Sequence, residues 1–187
     1  MSELHTDRER IVDAADRLFY GRGIQSVGMD EIRQESGVPL KRIYAVFPSK
    51  EALVAEVLRG RNAAWTTGIR AVAGTVDSPR EKLLAIYDFL SAWFAEDDFR
   101  GCAFINSFGE LGATALAVAE AARSHKHSFQ DYVADLVAQF DGPPALARQL
   151  ALLAEGAQTT AAIAQSAEAA TDARAAATVL LDAAGAR

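Results

Sequence analysis

Between positions 41 and 50, Lys41, Arg42, Tyr44 and Lys50 gather three cations and a phenol hydroxyl. That set suits phosphate oxygens and the acceptor edges of bases. A second set, Cys102, Asn106 and Glu110, repeats every four residues and would line one face of a helix; polar groups beside aromatics suit a ligand pocket. A third, His125 and His127, stands two apart, about 200° around a helix, so the two rings do not converge on one metal ion. Cys102 is the single cysteine, and neither His5, His125 nor His127 pairs with it at the level of sequence to activate it as a nucleophile. No second carboxylate stands at a fixed spacing from Glu110, and no glycine-rich phosphate loop or Cys/His zinc spacing is present. The expectation is a protein that is not an enzyme and carries no metal and no cofactor.

The elements that position these residues read as helices. The 187-residue chain is 50% hydrophobic and 24% charged with a net charge of −6, a balance that fits a globular fold with a real core. No run approaches the roughly 20 apolar residues needed to cross a bilayer, and the start lacks a secretory core, so a cytoplasmic protein with no membrane partner is expected. Apolar residues recur at three and four, as in Ile11, Ala15, Leu18 and Phe19, and nothing alternates by two. Thr6 with Glu9, and Ser78 with Glu81 around Pro79, read as capping boxes opening two helices. Gly21 and Gly23 end the first. Phe129, Val133, Leu136, Val137 and Phe140 mark another, broken by "DGPP".

Among them, "MDEIRQES", Gly37 and "PLKRIYAVF" have the grammar of a helix-turn-helix. With Ile43 inward, Phe47 lies about 40° and Leu40 about 60° around the helix, so the three can bury together. Lys41 and Ala45 then point outward, flanked by Arg42 and Tyr44. Ser49 can cap the next helix, with Lys50 beside its positive end, which makes an anion clamp. The plain alternative is a solvated charged face, and the acidic overall balance favours that alternative. Against it, salt confines distant carboxylates to a range of about 10 Å at 0.1 M ionic strength.

The stretch "VGMDEIRQESGVPLKRIYAVFPSKEALVAEVL" resembles the DNA-binding head of the TetR family of bacterial transcriptional regulators. Gly37, Val38, Ile43, Tyr44, Phe47, Ser49, Lys50, Glu51 and Leu53 fit the family pattern in order and spacing, and the likeness runs over roughly residues 8 to 60. It implies that the face formed by Pro39, Leu40, Lys41, Arg42, Tyr44 and Ala45 enters the major groove of double-stranded operator DNA, with Tyr44 and Lys50 on phosphates. Lys41 or Arg42 would offer donors to guanine, and Ala45 could touch a thymine methyl. Three positions depart from the pattern, one of them Val46, which stands where the family often has an aromatic or His. Gly28 stands where the family usually has Ser or Thr, leaving a backbone N–H in place of a hydroxyl, and Pro39 replaces a common Ser, presetting a helical φ.

The implied organisation is all-α: a helix-turn-helix head over residues 1–50, a linking helix over 49–75, and a helical effector-binding and dimerisation body over 51–187. A small apolar or aromatic effector would sit among Trp65, Phe89, Trp93, Phe104 and Phe129, with Asn106 and Glu110 as polar partners; the alternative is ordinary core. Leu146, Leu150, Leu153 and Ala157 on one helix, and Ala176 and Leu180 on the next, would face a twin in a four-helix homodimer interface; the alternative is that these stripes cover the monomer's own core. The expected function is sequence-specific transcriptional regulation, as a repressor released by its ligand. Rival readings are a helical small-molecule-binding protein without productive DNA binding, and a helical enzyme using the aromatic pocket.

Overall fold

The structure, a computed structural model, describes residues 3–185, with side chains from Thr6 onward, so the His5 side chain lies outside the described residues. Its elements are α1 (Glu3–Arg22), α2 (Met29–Ser36), α3 (Leu40–Val46), α4 (Lys50–Ala73), α5 (Pro79–Phe94), α6 (Ala103–Leu111), α7 (Leu116–Gln139), α8 (Pro144–Ala164) and α9 (Glu168–Gly185). No strand occurs among the described residues.

The chain divides into two compact units. The first runs through Ala63 and adds Ala103–Arg123; the second holds Ala64–Cys102 and the residues from Ser124 onward. The first unit therefore contains α6 and the start of α7, which a single cut at residue 50 leaves out. Phe104 of α6 and Val118, Ala119 and Ala122 of α7 are buried, as an apolar face must be.

In the first unit, α1 packs on α2 and α3, and α2 on α3. The stripe of α1 buries Ile11, Ala14, Ala15 and Phe19 against Ile32 of α2 and Ile43 of α3 as its core. The helix begins at Glu3, so Thr6 and Glu9 lie inside it. The expected capping box does not form there, because a capping residue needs extended backbone outside the helix. Gly23, at φ +87°, follows the end of α1.

Local chemistry explains the turn between α2 and α3. Gly28 caps α2 with extended backbone at φ −88° and ψ 160°. Lacking a side chain, it forms half a capping box: the Glu31 carboxylate accepts from Gly28 N–H at 2.8 Å. That hydrogen bond, together with the Arg22 guanidinium, holds the Glu31 carboxyl below its ordinary pKa. Gly37 closes α2 in the left-handed region at φ 65°, its N–H reaching Arg33 O at 3.0 Å, a conformation that glycine adopts without strain. Arg10 donates to Ser36 O at 2.6 Å and so fastens this turn to α1. Pro39 is the cap of α3, not its first helical residue: its ψ of 140° is extended, and its carbonyl accepts from Arg42 N at 2.8 Å.

In the second unit α5 packs on α8 and α9, which pack on each other. The Ser78–Glu81 box forms as expected, with Glu81 N 3.2 Å from Ser78 Oγ and Pro79 in the first turn. Leu83, Ile86, Tyr87 and Leu90 bury against small residues of α8 and α9 such as Ala151, Ala154, Ala173 and Ala177. Tyr87 donates its hydroxyl to Leu150 O at 2.8 Å, and burial pushes its pKa upward, keeping it a neutral donor.

This packing corrects the expected dimer stripe at three of its six residues. Leu146, Leu150 and Ala157 are buried in the chain's own core, and Leu153, Ala176 and Leu180 are half-buried. The large apolar residues that α8 and α9 leave outside are Leu152, Ile163 and Val179, at 71%, 80% and 67% exposure.

Candidate nucleic-acid interface

The third helix has two opposed faces. Ile43 and Phe47 are fully enclosed, at 0% and 3% exposure, while Leu40 is only half-buried at the edge of that face. Lys41, Ala45 and Pro39 are exposed, and Tyr44 is 45% exposed. Seven residues make barely two turns, so these groups share one short accessible ridge. Gly28 is exposed too, but its N–H already serves Glu31.

Arg42 is more committed than its neighbours. Its guanidinium pairs with the Asp7 carboxylate of α1, which is 8% exposed against 43% for the Arg42 side chain. A carboxylate so buried needs a cation nearby, and Arg42 supplies it. The sequence reading did not single out Asp7 or Arg10, because their partners on α3 and in the Gly37 turn lie far along the chain.

Lys50, the residue expected on a phosphate, spends two of its three ammonium donors inside the protein. Its ammonium donates to Ile24 O at 2.5 Å and Val27 O at 2.6 Å, and lies 5.8 Å from the Phe19 ring centre. It ties the start of α4 to the loop before α2. Ser49 does cap α4, with Ala52 N 3.2 Å from Ser49 Oγ.

The residues expected to bind an effector separate into two groups. Trp65, Phe89, Trp93 and Phe129 come together in the second unit: the Trp65 ring stands edge-on to Phe89 at 5.1 Å, Trp93 at 5.2 Å and Phe129 at 6.0 Å. His125 joins them 5.8 Å from Trp65, and burial, aided by Lys126, lowers its pKa to about 4, so it is neutral at pH 7. Close by, Lys126 pairs with Glu155 and lies 3.5 Å from the buried Cys102 thiol. Phe104, Asn106 and Glu110 belong instead to α6 in the first unit. Phe104 is buried and Asn106 exposed, while Glu110 is spent on backbone amides of the α1–α2 loop. Asn106 and Glu110 still share the wall of one cleft in the first unit, with Phe19, Tyr20, Val54 and Arg61, whereas Cys102 precedes α6 and lies outside it. Among the described residues no group of His, Cys, Asp and Glu could hold a metal ion, and no helix is long and apolar enough to cross a membrane.

A capped two-helix turn with an exposed cationic ridge on its second helix defines a helix-turn-helix DNA-binding regulator. The profile described as "Bacterial regulatory proteins, tetR family" matches residues 11–57. A Streptomyces avermitilis protein assigned to the TetR-type regulators, sav143, is 30% identical over 95% of this chain and 97% of its own, with a TM-score of 0.83. The TetR-family regulator SCO4454 of Streptomyces coelicolor is 27% identical, covers 97% of both chains and has a TM-score of 0.91. The transcriptional activator FasR of Mycolicibacterium smegmatis is 30% identical over 135 residues, which are 72% of this chain but 60% of FasR. The chain belongs to the TetR family of DNA-binding transcriptional regulators, a family of regulators and not of enzymes.

Proposed function

We propose that the protein is a homodimer that grips operator DNA with the two α3 ridges and releases it when a small apolar or aromatic molecule enters the body. One observation carries this reading: Lys41, Tyr44 and Ala45 are exposed together on a helix whose other face, Ile43 and Phe47, is sealed. In the groove, Pro39, Lys41, Arg42, Tyr44 and Ala45 would supply the contacts, Tyr44 to a phosphate and Lys41 or Arg42 to a guanine edge. Gly28, Leu40 and Lys50 come second to these, since the Gly28 N–H and two of the Lys50 donors serve the protein itself and Leu40 is half-buried.

A single head reads one half-site, so useful affinity calls for two heads about 34 Å apart or a multiple of that distance. The exposed Leu152 and Ile163 of α8 and Val179 of α9, helices that pack on each other, are the apolar groups such a dimer face would cover. The effector would meet Trp65, Phe89, Trp93 and Phe129, whose ring edges and faces fit an aromatic or apolar guest. The helix α4 carries Trp65 and starts at the Ser49 cap, so a guest that displaces Trp65 would reach the head through one helix. A coupling of about 1–3 kcal/mol lowers operator occupancy roughly 5- to 150-fold, and by reciprocity operator weakens the ligand equally. We propose repression as the outcome, although the relative FasR is described as an activator. The protein would act in the compartment that holds the DNA.

The test is selection of duplexes from a random pool with the purified protein. An enriched inverted repeat with half-sites one or two helical turns apart is expected. Enrichment of no sequence, or of a lone half-site bound by a monomer, would reject the proposal.

A further inference from the structure

The loop joining α1 to α2 is gripped from two sides by opposite charges. From α6, Glu110 places Oε1 3.1 Å from Ile24 N and Oε2 2.8 Å from Gln25 N, and Gln25 Nε2 donates back to Glu110 O at 2.5 Å. From the first turn of α4, the Lys50 ammonium takes the carbonyls of Ile24 and Val27. Consecutive backbone N–H groups next to a left-handed residue form a nest that favours an anion, and Gly23 at φ +87° supplies that residue. A Cβ on Gly23 would stand 3.2 Å from both Glu110 oxygens, so glycine is what lets the carboxylate approach. Immediately after Val27, Gly28 opens α2, and the Gly37 turn then delivers α3.

We infer that Glu110 is a positioning residue for operator binding: its carboxylate, opposed by Lys50, fixes the loop that aims α2 and α3, and losing it lowers operator affinity. The inference rests on the operator binding proposed above. The bland alternative is that Glu110 adds only local stability, and electrostatics separates the two by sign. Removing a negative charge from a protein that binds a polyanion raises affinity on charge grounds; a loss of affinity is the mark of positioning.

The experiment compares wild type with Glu110→Gln on a duplex that the wild type has selected from a random pool. It reads dissociation constants across a salt series, amide hydrogen exchange at Ile24 and Gln25, and melting temperature. Glu110→Gln is expected to bind about tenfold more weakly, with an unchanged salt slope, faster exchange at both amides and a melting temperature near wild type. Should that variant not fold, Gln25→Ala, which deletes one exposed hydrogen bond and no charge, is expected to weaken binding about threefold. Equal or tighter binding by the folded Glu110→Gln variant, or unchanged binding by Gln25→Ala where Glu110→Gln does not fold, overturns the inference alone. A wild type that selects no duplex overturns the operator reading and the inference with it.

Discussion

Lys41 and Lys50 carry the same charge and do different work. Lys41 is exposed on the α3 ridge, whereas the Lys50 ammonium is engaged by two carbonyls. Replacing Lys41 by Ala is therefore expected to reduce the steepness of the salt dependence of operator binding by about 0.9 per phosphate lost. Replacing Lys50 by Met should weaken binding while leaving that slope alone; salt titrations of both variants by fluorescence anisotropy check the pair. The division between Ile43 inside and Tyr44 outside was legible in the sequence, because a short amphipathic helix repeats every 3.6 residues. The tasks of Lys50 and Glu110 were not, because their partners are backbone atoms of Ile24, Gln25 and Val27. A main-chain acceptor leaves no residue type to read.

At the scale of elements, the turn between α2 and α3 depends on one backbone conformation. Gly37 sits at φ 65°, and a Cβ there would meet Arg10 Nη2 at 2.7 Å, the same guanidinium that holds Ser36 O. Gly37→Ala is expected to cost about 1–2 kcal/mol of stability from the left-handed strain, measured by denaturant unfolding, and to weaken operator binding by loosening α3. An unchanged unfolding midpoint would contradict this role. The Gly37 cap and the Ser78–Glu81 box are legible because their capping partners lie within four residues. The Thr6–Glu9 pattern has the same letters and no box, since α1 runs back to Glu3. A motif names a possible boundary, and the helix around it decides whether the boundary is used.

At the scale of the molecule, the alanine-rich α8 and α9 show how a sequence can specify a helix without specifying its buried side. Leu150 and Leu152 are two residues apart, yet the first is 2% exposed and the second 71%. Small residues on every face blur the stripe, so Leu146, Leu150 and Ala157, expected to face a twin, are buried in the chain's own core. Leu150→Asp would place an unpaired carboxylate in the core and is expected to destabilise the monomer by at least about 3 kcal/mol. The double variant Leu152→Asp, Val179→Asp should instead keep its melting behaviour and become monomeric by light scattering, with operator affinity lost. A double variant that stays dimeric places the interface elsewhere.

The most direct measurement of the central claim is the salt dependence of wild-type binding to its selected duplex. If two α3 ridges together neutralise about six phosphates, the logarithm of the association constant falls against the logarithm of salt concentration with a slope near −5. A slope close to zero would mean that no phosphate is neutralised, and the ridge of Lys41, Arg42 and Tyr44 would then serve something other than DNA.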